Sequence, residues 1–148
     1  MRVLVQRSLN SSVSVDSKVV GSIENGLVLF VGFTYGDSLN EINYIVKKIV
    51  NLRIFDDENG VMNKSILDVN GSALSISQFT LYADSKKGNR PSYINALKSE
   101  EALKLYDLFN KKLGEYVDVR TGVFGADMNV NICNSGPVTI LLEKEMGK

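Results

Sequence analysis

The sequence contains no histidine, no tryptophan, one cysteine and two prolines in 148 residues. Without histidine there is no Ser-His-Asp triad, no HExxH zinc site and no histidine general base. A single cysteine closes no internal disulfide and builds no four-cysteine zinc site, so nothing points to an oxidising compartment and a cytoplasmic location is expected. No apolar run approaches the ~20 residues that cross a bilayer. The N-terminal stretch is one arginine followed by a strand-like run, so neither a leader nor a membrane partner is expected. An excess of one charge is missing too, because 17 basic side chains balance 17 acidic ones. A polyanion would therefore be held by a local patch rather than by the field of the whole molecule.

What is present is 44% apolar residues in a chain long enough for one domain, 1–148, with a real core. No composition shift marks a linker, and there is no internal repeat. Arg2 to Arg7 alternates as a strand and a second strand surrounds Val13 to Asp16, with the polar stretch Ser8 to Ser12 as a connection. Val19 to Ile23 and Leu27 to Phe33 follow, separated by Glu24-Asn25-Gly26, which suggests an antiparallel meander. Ser38 and Glu41 form a capping box before the helical spacing of Leu39, Ile42, Ile45, Val46 and Ile49. Ala102, Leu105, Tyr106, Phe109 and Leu113 mark a second helix, capped by Ser92 or Ser99 and ended by Gly114. Tyr116 to Val119, Val130 to Ile132 and Val138 to Leu142 read as short strands. The fold class is α+β, a largely antiparallel curved sheet with two main helices.

The segment Ala73 to Tyr82 carries the most information. Leu74 and Ile76 alternate as one apolar set that turns polar at Gln78, just as the other set turns apolar at Phe79. A bulge, a change of covering layer or a strand end lining a pocket would each produce this. Gln78 and Thr80 stand near Lys86, Lys87 and Arg90, a combination suited to hydrogen bonding and phosphate contact. The ordinary alternatives are a strand threonine and a solvated loop, since a hydroxyl without a base is a poor nucleophile. Gly136-Pro137 lies between two strand-like segments and reads as a turn or as a rigid backbone reader held by a cis bond. The acidic run Asp56 to Gly60 lacks calcium-loop spacing and reads as a solvated turn. Cys133 reads as a buried thiol, Asp84 as an isolated carboxylate of structural use, and Asp127 as one that orients a site, caps the next element or, as is commoner for a lone carboxylate, is structural. No glycine-rich phosphate cradle or metal cluster is present, so no cofactor is expected.

Taken together, these strings resemble the D-aminoacyl-tRNA deacylases, also called D-tyrosyl-tRNA deacylases. The resemblance runs through Val5-Gln6-Arg7, Leu52-Arg53-Ile54-Phe55, Ser77-Gln78-Phe79-Thr80-Leu81, Gly88-Asn89-Arg90-Pro91-Ser92, Gly122-Val123-Phe124-Gly125-Ala126-Asp127-Met128 and Asn134-Ser135-Gly136-Pro137-Val138-Thr139. It implies a homodimer, barrel-like across its two copies, that hydrolyses the ester between a D-amino acid and the terminal adenosine of charged tRNA. Glycine mischarged on tRNA-Ala is implied as a further substrate. Catalysis is assigned by the resemblance to Gln78, Phe79 and Thr80, through backbone amides and an assisting ribose 2′-hydroxyl. Gly136 and Pro137 are implied to reject L-amino acids in the partner's pocket, while Ser77, Lys86, Lys87 and Arg90 are implied to bind substrate and tRNA. Asn89 departs from the family's usual arginine, which leaves the tRNA charge to its neighbours.

Overall fold

The computed structural model describes residues 1–148. The chain runs β1 (Arg2–Val15), β2 (Lys18–Ile23), β3 (Gly26–Gly32), α1 (Leu39–Asn51), β4 (Phe55–Asp56), β5 (Met62–Lys64), β6 (Ser72–Ser77), a 3-10 turn (Phe79–Tyr82), α2 (Ser99–Leu113), β7 (Asp118–Thr121) and β8 (Asn129–Glu143).

β1 is one strand, not two strands joined by Ser8 to Ser12. β8 pairs with both halves of it, and the register shifts on either side of Ser8 and Leu9 accommodate the bend. Ser8 and Ser11 are buried, and their hydroxyls donate to the carbonyls of Gln6 at 2.9 Å and Leu9 at 2.8 Å. A polar run whose hydroxyls find local acceptors can remain in a sheet.

Asp16 and Ser17, both at positive φ, form the two-residue loop that sends the chain back. From Val13↔Gly21 to Arg2↔Gly32, β2 and β3 then lie end to end along one edge of β1 in one register. Glu24-Asn25-Gly26 is consequently an interruption in a single returning arm, not the hairpin turn of a meander. The Asp16-Ser17 loop reverses the chain without the usual Asn-Gly signal, and a one-residue shift between Val13 and Ser14 then brings the arm into that register.

The sheet is mixed. Pairings of β1 with β2, β3 and β8 are antiparallel, whereas β3–β6 and β6–β7 are parallel. α1 and α2 make the two crossovers these parallel pairs require. β2 returns beside β7, so the sheet is nearly closed and barrel-like. β7 begins at Asp118 rather than Tyr116, and β6 ends at Ser77, where the alternation changed phase.

Both helices cover one sheet face. The Ser38 capping box starts α1, with Glu41 Oε1 accepting from Ser38 N at 2.9 Å. Lys98 occupies the cap position of α2 without a side-chain bond, so neither Ser92 nor Ser99 is its cap. Ile42, Ile45, Ile49, Phe109 and Leu113 pack with Val3, Val5, Leu27, Leu29 and Val31 in the main core. Burying each such aliphatic side chain contributes about 1.5–3 kcal/mol before conformational entropy is subtracted. Buried Tyr106 pins α2 to β6 by donating to the Ser75 carbonyl at 2.7 Å. A smaller cluster of Val13, Ile23, Val28, Leu74 and Ile76 fills the concave side.

β8 is a single 15-residue strand in place of the two short ones expected. Between Gln6↔Thr139 and Ser8↔Asn134, β1 advances two residues and β8 five. The three extra residues form a bulge that carries Gly136 and Pro137, and the peptide joining them is cis. Cys133 is exposed, which corrects the buried-thiol reading. It pairs with half-exposed Leu9 on a side of the sheet that nothing in the chain covers.

Candidate active site

A cavity of about 600 Å³ opens where β3 and β6 end, bordered by the start of α2 and the segment after β7. Val31, Phe33, Leu97, Ala102, Phe124 and Met128 give it apolar walls. Ser77, Gln78 and Phe79 line one side. Phe79, 54% exposed, meets Tyr93, 45% exposed, edge to face with centroids 5.1 Å apart. These dimensions and rings suit a flat, partly apolar ligand group.

The turn at the cavity mouth is fixed by its entry. Gln78 N donates to Val31 O at 2.8 Å, extending the β3–β6 ladder by one bond, and Leu81 N closes back on Gln78 O at 3.3 Å. The chain passes so near Gly32 that a Cβ there would lie 2.8 Å from Gln78 O and 3.2 Å from Leu81 Cβ. Only glycine permits that approach. The amides of Phe79 and Thr80 donate to no acceptor in the chain, as the first amides of any helical turn are left unpaired. Two adjacent free N–H groups beside a cavity are what a developing oxyanion needs.

Gln78 and Thr80 are joined by a hydrogen bond from Gln78 Nε2 to Thr80 Oγ1. Thr80 is exposed and is not part of the cavity wall, so its hydroxyl reaches the site through Gln78. Lys86, Lys87 and Arg90 are exposed and make no ion pair. Their loop is pinched shut by reciprocal 2.8 Å bonds between Asp84 and Ser92. Tyr93 follows directly, which ties the cationic loop to the cavity mouth. Asp84 Oδ1 accepts the Lys86 amide at 2.9 Å and so has a structural use, while Asp127 lines the cavity. No three histidine, cysteine or acidic side chains converge on a metal position.

Gly136 and Pro137 are exposed and lie elsewhere. Their bulge is level with Arg7, Leu27 and Ala73, four residues along the sheet from Ser77. Counting three strand spacings as well, it lies roughly 20 Å from the mouth of its own cavity. Side chains brace it. Asn134 Nδ2 donates to Arg7 O at 3.1 Å and Val138 O at 3.2 Å, and Asn134 Oδ1 accepts from Gln6 Nε2 at 3.3 Å and Thr139 Oγ1 at 3.2 Å. Arg7 Nε donates to Ser135 O at 3.3 Å, and Nη1 donates to Ile54 O at 2.8 Å.

Tyr93, Gly32 and Arg7 carry no local sequence signal of their roles. Arg7 stood in a motif without an assigned use, Gly32 ends an ordinary apolar strand, and Tyr93 became meaningful only through its contact with Phe79.

Residues 4–143 match the family described as D-Tyr-tRNA(Tyr) deacylase. A solved structure described as "c-Myc DNA Unwinding Element Binding Protein" superposes with a TM-score of 0.93 at 38% identity, covering 97% of this chain and 99% of that one. Another, described as a "probable eukaryotic D-amino acid tRNA deacylase", shares the fold with a TM-score of 0.80 at 16% identity, covering 95% and 97%.

Proposed function

Since the chain belongs to the D-Tyr-tRNA(Tyr) deacylase family and is a hydrolase of D-aminoacyl-tRNA, we propose that it works as a cytoplasmic homodimer in translation quality control. Each active site combines the cavity of one copy with the Gly136-Pro137 bulge of the other. It releases free tRNA and the D-amino acid, accepts glycine mischarged on tRNA-Ala, and excludes L-amino acids.

The free amides of Phe79 and Thr80 beside the apolar cavity are the observation that carries this reading. The terminal adenine enters among the apolar walls, and the ester carbonyl oxygen turns toward the two amides. Water attacks the ester carbon with help from the ribose 2′-hydroxyl. The amides hold the resulting oxyanion, and its collapse expels the ribose 3′-oxygen. Positioning and a preset electrostatic environment do most of the work, which suits a chain with no histidine. Gln78 shapes the pocket, Thr80 holds Gln78, Ser77 contacts substrate, and Lys86, Lys87 and Arg90 meet tRNA phosphates.

Selection needs the second copy because the bulge is too distant to reach its own cavity. The outer edge of β8 pairs with nothing in the chain, and exposed Leu141 stands beside half-buried Leu4 and Phe30 in an apolar row next to it. A long unpaired edge with exposed apolar side chains is costly for a monomer and favours a self-complementary partner. Backbone atoms at Gly136-Pro137 would occupy the space an L side chain needs. A D side chain points the other way, and glycine has none. Such exclusion discriminates without recognising any particular side chain.

The test compares D- and L-aminoacyl-tRNA carrying one amino acid, with Gly-tRNA as a third substrate. D and Gly esters are expected to disappear while the L ester survives at its uncatalysed rate. Equal loss of D and L would remove the filter from the account. Replacing the terminal ribose 2′-hydroxyl by hydrogen should slow hydrolysis sharply.

A further inference from the structure

We propose that Arg2 is a positioning residue for hydrolysis, acting through the Leu81 carbonyl to set the direction of the Phe79 and Thr80 amides. The inference rests on the oxyanion role given to those amides above.

The entry of the 3-10 turn is held by the sheet through the Gln78–Val31 bond, but its exit has no such ladder. Ala83 N returns only to Thr80 O, inside the turn itself. What ties the exit to the sheet is Arg2. Its Nη1 donates to Leu81 O at 2.8 Å across 79 residues of chain. Its guanidinium lies over the Tyr82 ring, 4.5 Å from the centroid. Its Nε sits 2.7 Å from Glu143 Oε1, a charge contact that is not aligned as a hydrogen bond.

Arg2 is well placed for this. In the sheet it stands between Gly32 of β3 and Glu143 of β8, and Gly32 is where the turn presses on the strand. One planar cation therefore touches the carbonyl of Leu81, the buried ring of Tyr82 and the carboxylate of Glu143. A guanidinium can make all three contacts because it offers several donors in a rigid plane and stacks on aromatic faces. Burial foremost raises the Tyr82 hydroxyl pKa.

The turn has four residues, so tilting its exit also tilts its first two amides. Those amides matter most when charge develops on the ester oxygen. Loss of Arg2 should therefore lower kcat and leave KM nearly unchanged. A displacement on the order of 1 Å at a catalytic group costs up to about 100-fold, and a turn still held at its entry should lose less, about 10- to 30-fold.

The experiment measures kcat and KM for D-aminoacyl-tRNA with the full chain, Arg2→Met and Arg2→Lys, together with melting temperatures and amide exchange over residues 79–83. Arg2→Met, which keeps the apolar stem, is expected to lower kcat about 10- to 30-fold with KM within about twofold, and to speed exchange in the turn. Arg2→Lys, which keeps a cationic donor for Leu81 O but not the planar stack on Tyr82, should restore part of kcat. An unchanged kcat in Arg2→Met, or a loss that Lys does not rescue, overturns the proposal. A rise in KM alone overturns it as well. If the unsubstituted chain fails to hydrolyse D-aminoacyl-tRNA, the deacylase reading fails first, and faster exchange in Arg2→Met would still show whether Arg2 holds the turn.

Discussion

The turn Phe79–Tyr82 and the bulge around Gly136-Pro137 are made rigid by different means. The turn is held chiefly by main chain: a ladder bond from Gln78 to Val31, an internal bond from Leu81 to Gln78, and the missing side chain at Gly32. The bulge is held by side chains, with Gln6, Arg7, Asn134 and Thr139 forming a bracket around an irregular loop. A strand end inherits its rigidity from the neighbouring ladder. A loop that leaves the ladder must have its carbonyls and amides met one at a time, or desolvation would penalise the ones left over. On the reading above, the first is the half that receives the ester and the second the half that intrudes from the other copy.

The sharpest way to break this division is to damage each half in a separate chain. Gly136 has φ +113°, and an added Cβ would lie 2.8 Å from Arg7 Nη2 and 3.0 Å from Val138 Cγ2. Gly136→Ala should therefore displace the bulge, whose exposure lets folding survive. Gly32→Ala should push the turn away through the 2.8 Å approach to Gln78 O. Each homodimer is expected to lose about 100-fold in kcat/KM on D-aminoacyl-tRNA. After mixing and reassociation at equal amounts, half the dimers are mixed and each carries one intact site, so about one quarter of the activity should return. Absence of any recovery, with mixed dimers verified by mass spectrometry, would place both halves in one chain. Melting curves of the two variants separate this from simple unfolding.

How well each region could be read from the sequence follows from the same contrast. The end of β6 was visible because period-2 burial broke at Gln78 and Phe79, and a strand that stops must change pattern. The helices were visible too, since capping by Ser38 and Glu41 and the spacing of Ile42, Ile45 and Ile49 are local properties. Long-range register was not visible. Nothing local in Ser8 to Ser12 says that β8 pairs across it, and Glu24-Asn25-Gly26 resembles a hairpin turn although the chain reverses at Asp16-Ser17 and shifts register at Val13 and Ser14. The apolar neighbour Ile132 does not make Cys133 buried, because it implies only that one of two alternate faces is covered. Gly136-Pro137 was noticed as an oddity of composition, but its bracing depends on Gln6 and Arg7, which lie 128 or more residues away in the chain.

A smaller effect is expected at the cationic loop proposed to meet tRNA. Lys86, Lys87 and Arg90 have no acidic partner, so replacing all three by Ala leaves the turn and the bulge untouched. KM for charged tRNA should rise about tenfold with kcat nearly constant, and the dependence of log KM on log salt should flatten by roughly 2, as expected if two or three phosphate contacts at about 0.7–0.9 each are lost. A fall in kcat without a change in salt dependence would move these cations from tRNA binding into the turn's own support. Measurement at several salt concentrations is essential, because at high salt the substituted and unsubstituted chains should converge.

The smallest effect concerns the acidic turn that lies behind the bulge. Arg7 reaches it through Asp56 Oδ1 at 3.4 Å, and Asp57 Oδ1 shapes it by accepting the amides of Asn59 at 2.9 Å and Val61 at 3.1 Å. The Val61 and Asn59 amides, in that order, hold the Asp57 carboxyl below the usual carboxylate range. Because the folded pKa is depressed, this interaction stabilises the fold above the unfolded carboxyl pKa and fades as pH falls through the folded value. Asp57→Asn should thus melt slightly lower than the natural chain at pH 7, with the gap narrowing toward pH 3. The D-to-L preference should stay the same at pH 7, since Ile54 O still anchors Arg7 at 2.8 Å. A change in that preference would mean that the bracket around Gly136 extends past Arg7 into the turn.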